Sequence, residues 1–169
     1  MSSEASIEVW LDEMSSLVPR FVAEFAARHG YPPGEHYVTR STDRSSRDAL
    51  AAILCDRSAR NLIEFYSYVA CVSLPDVGPG FFIQEAEEVV SGLRGAQPTC
   101  VSGPPDTPIV VFGSDGGGAL FAIDRRTGAV IRLAGGSLLG AAYEVGKSEL
   151  QVMARGFLEF LRSLRDGLE

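Results

Sequence analysis

The sequence is poor in the residue types that most often perform chemistry. Its 169 residues include only two histidines, three cysteines and one lysine, Lys147. Three cysteines at irregular spacing exclude a framework of paired disulfides, and Cys55, Cys71 and Cys100 are expected to be buried, inert thiols in a reducing cytosol. The spacings C-x-x-C and H-E-x-x-H and the EF-hand loop are absent, so neither a metal nor another cofactor is expected.

Long apolar runs and an excess of basic residues are also missing. No apolar run approaches the roughly 18 residues that a membrane span needs. The acidic start lacks the basic segment of a secretory signal, so we predict a cytoplasmic protein without a membrane partner. The net charge of −7, from 15 Lys and Arg against 22 Asp and Glu, disfavours nucleic acid as a partner because phosphate binding needs a basic face.

The candidate catalytic residues do not form a recognisable set. His29 and His36 lie close together in polar surroundings, and both are predicted to be surface residues. A nucleophile needs a base that is itself held by a third group, and the sequence pattern indicates none. The carboxylates of Glu85, Glu87 and Glu88 are neighbours on one short predicted helix, which favours a solvated face over a catalytic pair across a cleft. We therefore expect no enzyme.

One segment comes close to a phosphate-binding loop. Gly146, Lys147 and Ser148 match its end, but the first glycine of the motif falls at Ala141. Too few residues follow for the strands that such a fold requires. Ser148, followed three residues later by Gln151, instead predicts the cap of a C-terminal helix.

The order of the hydrophobic patterns predicts an α+β fold. Helical spacing marks residues 7–25, where Pro19 should kink or split the helix, and also residues 48–56, 59–68, 85–92 and 150–164. Apolar, partly β-branched runs predict strands at 69–74, 81–83, 108–112, 119–123 and 129–133, with a loop or edge strand near 36–39. We expect helices flanking one small, mostly antiparallel sheet, with a C-terminal amphipathic helix. Residues 1–169 would form a single domain.

The acidic residues are concentrated in the middle of the chain. Residues 61–124 contain eight acids and a single base, Arg94, while the rest of the chain is neutral. Folded into one face, this segment would attract basic partners and raise association rates. The alternative interpretation is that the acids serve solubility alone.

A glycine-rich segment carries a resemblance to a known family. The segments concerned are 111–118 (Val-Phe-Gly-Ser-Asp-Gly-Gly-Gly), 120–124, 128–130 and the closing segment 156–161 (Gly-Phe-Leu-Glu-Phe-Leu). Together they resemble the SUKH superfamily, which includes bacterial toxin-immunity proteins and fungal cell-wall regulators of the Smi/Knr type. Residues 65–66, 73–77 and 80–83 are similar to a segment of actinobacterial members. The N-terminal helical segment, residues 1–34, is the least typical part.

The resemblance implies an α+β domain without enzymatic activity that binds a protein. Such a module would neutralise a cognate bacterial toxin, possibly a nuclease, and would be a monomer or a weak homodimer. The contact residues we expect for a basic toxin domain are the acids Asp76, Glu85, Glu87, Glu88 and Asp115. The glycines that we expect to have a structural role in the turn are Gly113, Gly116, Gly117 and Gly118. The alternatives are a regulatory scaffold that binds an endogenous protein, and a small-molecule binder or enzyme that uses Cys55 or the histidines.

Overall fold

The computed structural model describes residues 3–145 and 150–169. The described residues form five α-helices, which are α1 (Ser3–His29), α2 (Ser45–Ile53), α3 (Arg60–Phe65), α4 (Ala86–Ser91) and α5 (Phe157–Asp166), besides two short helices of other types at Arg57–Ala59 and Gly92–Ala96. They also form ten strands, which are β1 (Tyr37–Arg40), β2 (Val69–Leu74), β3 (Phe81–Ile83), β4 (Cys100–Val101), β5 (Thr107–Ser114), β6 (Leu120–Asp124), β7 (Val130–Leu133), β8 (Ser137–Leu139), β9 (Ala142–Glu144) and β10 (Gln151–Ala154). The α+β class predicted from the sequence is confirmed.

The N-terminal helix α1 is continuous through Pro19, so the predicted split does not occur. Buried apolar side chains lie on both sides of the proline, including Met14 and Phe25. Packing of one apolar face on both sides of the proline stabilises the helix despite the missing N–H. The indole Nε1 of Trp10 donates a buried hydrogen bond of 2.7 Å to the carbonyl of Leu161, which joins α1 to α5.

The sheet is larger than the small sheet that we predicted. Seven strands pair in the antiparallel order β1-β2-β3-β5-β6-β7-β10, and β4, β9 and β8 branch from the start of β5. Among the described residues, β4 and β9 form the one parallel pair. Four strands, β4, β8, β9 and β10, were not predicted from the sequence, because each has only two to four residues and too little alternation to show a period.

The start of the predicted C-terminal helix is wrong. Residues Gln151–Ala154 form β10, which pairs with β7, and α5 begins at Phe157. The apolar residues of this segment fit either period, and the free edge of β7 offers hydrogen bonds that an isolated helical turn lacks. The predicted capping residue Ser148 lies outside the described residues, as do Gly146 and Lys147, while Gln151 is part of the strand.

The two faces of the sheet are covered differently. On one face the helices enclose the main core, in which the ring of Phe112 lies 5.3 Å from that of Phe157 and 5.5 Å from that of Phe160. On the opposite face, called the outer face below, β4 and β9 cover a smaller apolar cluster over β5, β6 and β7 that includes Ile109 and Val111. This cover does not extend over β1, β2 and β3.

Candidate protein-binding surface

The uncovered part of the outer face carries alternate residues of three neighbouring strands. Tyr37 pairs with Ser73 across β1 and β2, and Ser73 pairs with Phe82 across β2 and β3. Because strand side chains alternate, these three residues point away from the core that holds Val72 and Ile83. Tyr37 is 43% exposed, so an aromatic side chain lies open at the edge of the sheet.

A hollow of about 390 Å³ lies over these strands, with acidic residues at its edge. We call it the acidic hollow; its lining includes Tyr37, Cys71, Ser73, Phe82 and the three glutamates Glu85, Glu87 and Glu88. The glutamates come from the first turn of α4 and the residue before it. The structure therefore brings together three of the five acids that the sequence analysis selected.

The position of these glutamates has a local cause. Carboxylates at the N-terminus of a helix interact favourably with its dipole and with its unpaired N–H groups. The carboxylate of Glu88 accepts a hydrogen bond of 3.2 Å from the backbone N–H of Glu85. Glu85, Glu87 and Glu88 are all exposed, so they remain accessible to a partner.

Asp76 lies outside the acidic hollow and holds a turn. Its carboxylate accepts a hydrogen bond of 2.6 Å from the backbone N–H of Gly34, which ties the segment after α1 to the turn between β2 and β3. The side chain is only 23% exposed. Its role in the structure is therefore to join two segments of this chain.

Asp115 does not belong to an exposed acidic face, which corrects the sequence prediction. Its side chain is 1% exposed, and its Oδ1 accepts hydrogen bonds of 2.8 Å from the N–H groups of Gly117 and Ala119. Its Oδ2 accepts a hydrogen bond of 3.0 Å from Nε of Arg132. Burial alone would raise the pKa of Asp115, but these donors outweigh it and hold the pKa below its ordinary value. Asp115 is a structural carboxylate.

The glycine segment joins two strands, as we predicted, and does not lead into a helix. Gly113 lies within β5 itself, where a Cβ atom would come within 2.2 Å of the carbonyl oxygen of Phe82. Gly118 has a φ of +88°, which residues with a side chain rarely adopt. Gly116 donates a backbone hydrogen bond of 3.0 Å to Pro79, and Gly117 donates to Asp115.

The prediction of surface histidines is wrong for His36. Its side chain is fully buried and packs 5.2 Å from the ring of Phe21. Its Nδ1 donates to the carbonyl of Gly34 at 2.9 Å, while its Nε2 accepts from the N–H of Asp76 at 3.3 Å. Both ring nitrogens are thus used by the backbone. His29 is exposed, as predicted.

The prediction that all three thiols are buried is also wrong. Cys55 is exposed, and Cys71 and Cys100 are partly exposed. All three are free thiols. Cys55 and Cys71 lie in different hollows of the surface.

A basic surface that was not predicted from the sequence lies between α2 and α3. A groove of about 950 Å³ between α2 and α3, called the arginine groove below, is lined by Arg44, Arg47, Arg57 and Arg60. A third hollow, of about 360 Å³, has Arg47 in its lining together with Glu85 and Glu87. The sequence does contain a signal for this surface, namely four arginines between positions 44 and 60. Their local positive charge was hidden because the charge was summed over all residues outside 61–124, which are neutral together.

The described residues form neither a metal cluster nor a helix that could span a membrane. Within residues 3–145 and 150–169, no three His, Cys, Asp or Glu side chains come together as a metal site would require. In the same part of the chain, no helix has both the length and the apolar character to cross a membrane.

No protein-family model matches this chain, and no curated protein matches it.

Proposed function

We propose that the protein is a non-catalytic binding module that takes a basic surface of a protein partner into the acidic hollow. The observation that carries this proposal is the uncovered part of the sheet, where Tyr37 and Phe82 lie beside the three exposed glutamates. Protein interfaces are enriched in aromatic residues at their centres and have polar rims. The acidic hollow has this composition.

Charge supports the choice of a basic partner. Glu85, Glu87 and Glu88 present three carboxylates at one edge of the hollow, on a chain whose net charge is −7. An acidic patch steers a basic surface towards it and raises the association rate. A nuclease must hold phosphates and is therefore typically basic, so a nuclease toxin has the required chemistry.

The resemblance to the SUKH superfamily supports the same proposal and suggests the biological role of the binding. Members of that superfamily act as immunity proteins against bacterial toxins, and we propose this role here. A non-catalytic role is further supported by His36, whose two ring nitrogens are both engaged by the backbone. The same hydrogen bonds leave His36 no free nitrogen to act as a general base.

The test is capture of the partner from a lysate of the host, followed by affinity measurement with two charge-reversed variants. One variant is E85K/E87K/E88K. The other, E8K/E144K/E169K, changes the net charge by the same amount at exposed glutamates that line none of the three hollows. We expect one dominant basic partner that is toxic when expressed alone.

The expected loss of affinity is roughly tenfold to a hundredfold for E85K/E87K/E88K, because three attractive contacts become repulsive. The control should bind within about twofold of the wild type, since distant exposed charges are screened at physiological salt. Equal weakening by both variants would show a general charge effect and refute the acidic hollow as the site. A harmless housekeeping protein as the partner would favour the regulatory scaffold instead of immunity.

A further inference from the structure

The arginine groove lies beside the proposed interface and has the opposite charge. The guanidinium groups of Arg44, Arg57 and Arg60 form no ion pair with any residue that the structure describes. Asp56 is one of two acids in the lining, and its carboxylate is already paired with Arg125, whose Nε donates a hydrogen bond to it at 2.6 Å. The groove therefore has an excess of positive charge that this chain does not neutralise.

One donor in the groove is both buried and unsatisfied. The Nε of Arg47 is inaccessible to solvent and has no hydrogen-bond partner among the described residues. Such a group costs free energy unless an acceptor is supplied, so most buried donors in native proteins are paired. The Nη1 of Arg47 donates a hydrogen bond of 2.9 Å to Asp48. The guanidinium group of Arg47, which lines the groove, is therefore only partly satisfied by the described residues of this chain.

The size of the groove limits the ligand. Its volume of about 950 Å³ greatly exceeds what one inorganic anion fills and suits an extended ligand. The net charge of −7 and the neighbouring glutamates would repel a long nucleic acid. A short carboxylate-rich segment carries fewer charges and is repelled less, and its oxygens accept paired hydrogen bonds from guanidinium groups.

The groove is connected to the acidic hollow. Arg47 lines both the arginine groove and the third hollow, and Glu85 and Glu87 line both the third hollow and the acidic hollow. The three hollows thus adjoin one another through shared residues, and the charge of their lining changes sign from the arginine groove to the acidic hollow. A partner that covers this surface needs basic and acidic parts side by side.

We infer that the arginine groove binds a carboxylate-rich segment of the same protein partner whose basic surface enters the acidic hollow. This inference rests on the proposed function and adds a second chemical requirement for the partner. It also explains how an acidic protein distinguishes its partner from other basic proteins, because a partner without the acidic segment leaves the arginines unpaired.

The test uses two labelled peptides, hexaglutamate and hexaarginine, and fluorescence anisotropy at low salt. The groove variant is R57E/R60E, and the control is R20E/R162E, which reverses two exposed arginines outside all three hollows. We expect R57E/R60E to bind hexaglutamate roughly tenfold more weakly, with the control within about twofold of the wild type. Equal thermal unfolding midpoints would show that both variants are folded.

Three results would overturn the inference. The first is equal weakening by R57E/R60E and R20E/R162E, and the second is unchanged binding of hexaglutamate by both. The third is tighter binding of inorganic phosphate or of a short oligothymidylate, which would assign the groove to phosphate. Hexaarginine separates this inference from the proposed function. If E85K/E87K/E88K weakens hexaarginine binding, the proposed function stands even when the inference fails. If this variant binds hexaarginine as tightly as the wild type, the acidic hollow itself is refuted as the binding site.

Discussion

The two halves of the outer face differ although they belong to one sheet. Over β5, β6 and β7, outward side chains such as Ile109 are fully buried by β4 and β9. Over β1, β2 and β3, the outward residues Tyr37, exposed, and Phe82, partly exposed, line the acidic hollow, whereas Ser73 between them is buried. The alternation of the strands is the same in both halves, so the difference is made by which half the rest of the chain covers.

The acidic residues also differ in their burial. Asp115 lies in the turn between β5 and β6 and is buried against Arg132 and two backbone N–H groups. Glu85, Glu87 and Glu88 lie beside the open half and are exposed. Acids from a single acidic segment therefore have opposite roles: one holds the fold, and the others are available for recognition.

The largest expected effect is a loss of stability in the covered half. Ile109→Ala should lower the free energy of unfolding by about 3 kcal/mol, because it leaves a cavity in a closed cluster. The corresponding change in the open half, Tyr37→Ala, should cost less than about 1 kcal/mol, since 43% of this residue is already exposed to solvent. Urea unfolding measures both, and equal costs would show that the two halves are packed alike.

The second effect separates the two kinds of acid. Asp115→Ala should lower the free energy of unfolding by about 2 kcal/mol, because two backbone donors and Arg132 lose their acceptor. Glu87→Ala should change it by less than about 0.5 kcal/mol, as is usual for exposed surface positions. Thermal unfolding monitored by circular dichroism gives the comparison. A cost for Glu87→Ala as large as that for Asp115→Ala would contradict the division.

The smallest effect concerns pH. The pKa of Asp115 is lower in the folded protein than its ordinary value of 3.8, so this carboxylate stabilises the fold above that pH. Its contribution should disappear as the pH falls through the lowered folded pKa, because the unfolded chain binds the proton first. The difference in stability between wild type and Asp115→Asn, measured by urea unfolding, should therefore shrink between neutral pH and pH values below about 4. A difference that does not change with pH would show that the charge of Asp115 is unimportant.

Parts of the fold were predictable because their signals are local. The strands at 69–74 and 81–83 were predicted with the bounds that the structure has, since β-branched and aromatic runs are bounded there by turn residues. The segment near 36–39, for which a loop or an edge strand was predicted, forms the edge strand β1, and the loop between β5 and β6 was predicted as such. For β10 the prediction of a helix was wrong, because pairing with β7 outweighed a helical pattern only a few residues long.

The candidate site was predicted less completely. Glu85, Glu87 and Glu88 could be selected because they are close in sequence and lie at a helix start. Asp115 was misassigned, because its partner Arg132 is 17 residues away and reaches it only through the pairing of β5, β6 and β7. The arginine groove was missed, since it depends on how α2 packs beside α3.

The sequence by itself determined the α+β class, the strongest strands, the glycine turn and the scarcity of catalytic residue types. These properties depend on composition and on periods within a few residues, which no packing arrangement alters. Only the tertiary structure decided that Asp115 and His36 are buried, that half of the outer face stays open, and that an arginine groove adjoins an acidic hollow. Burial and surface charge arise from contacts between distant segments, so a pattern confined to neighbouring residues does not contain them.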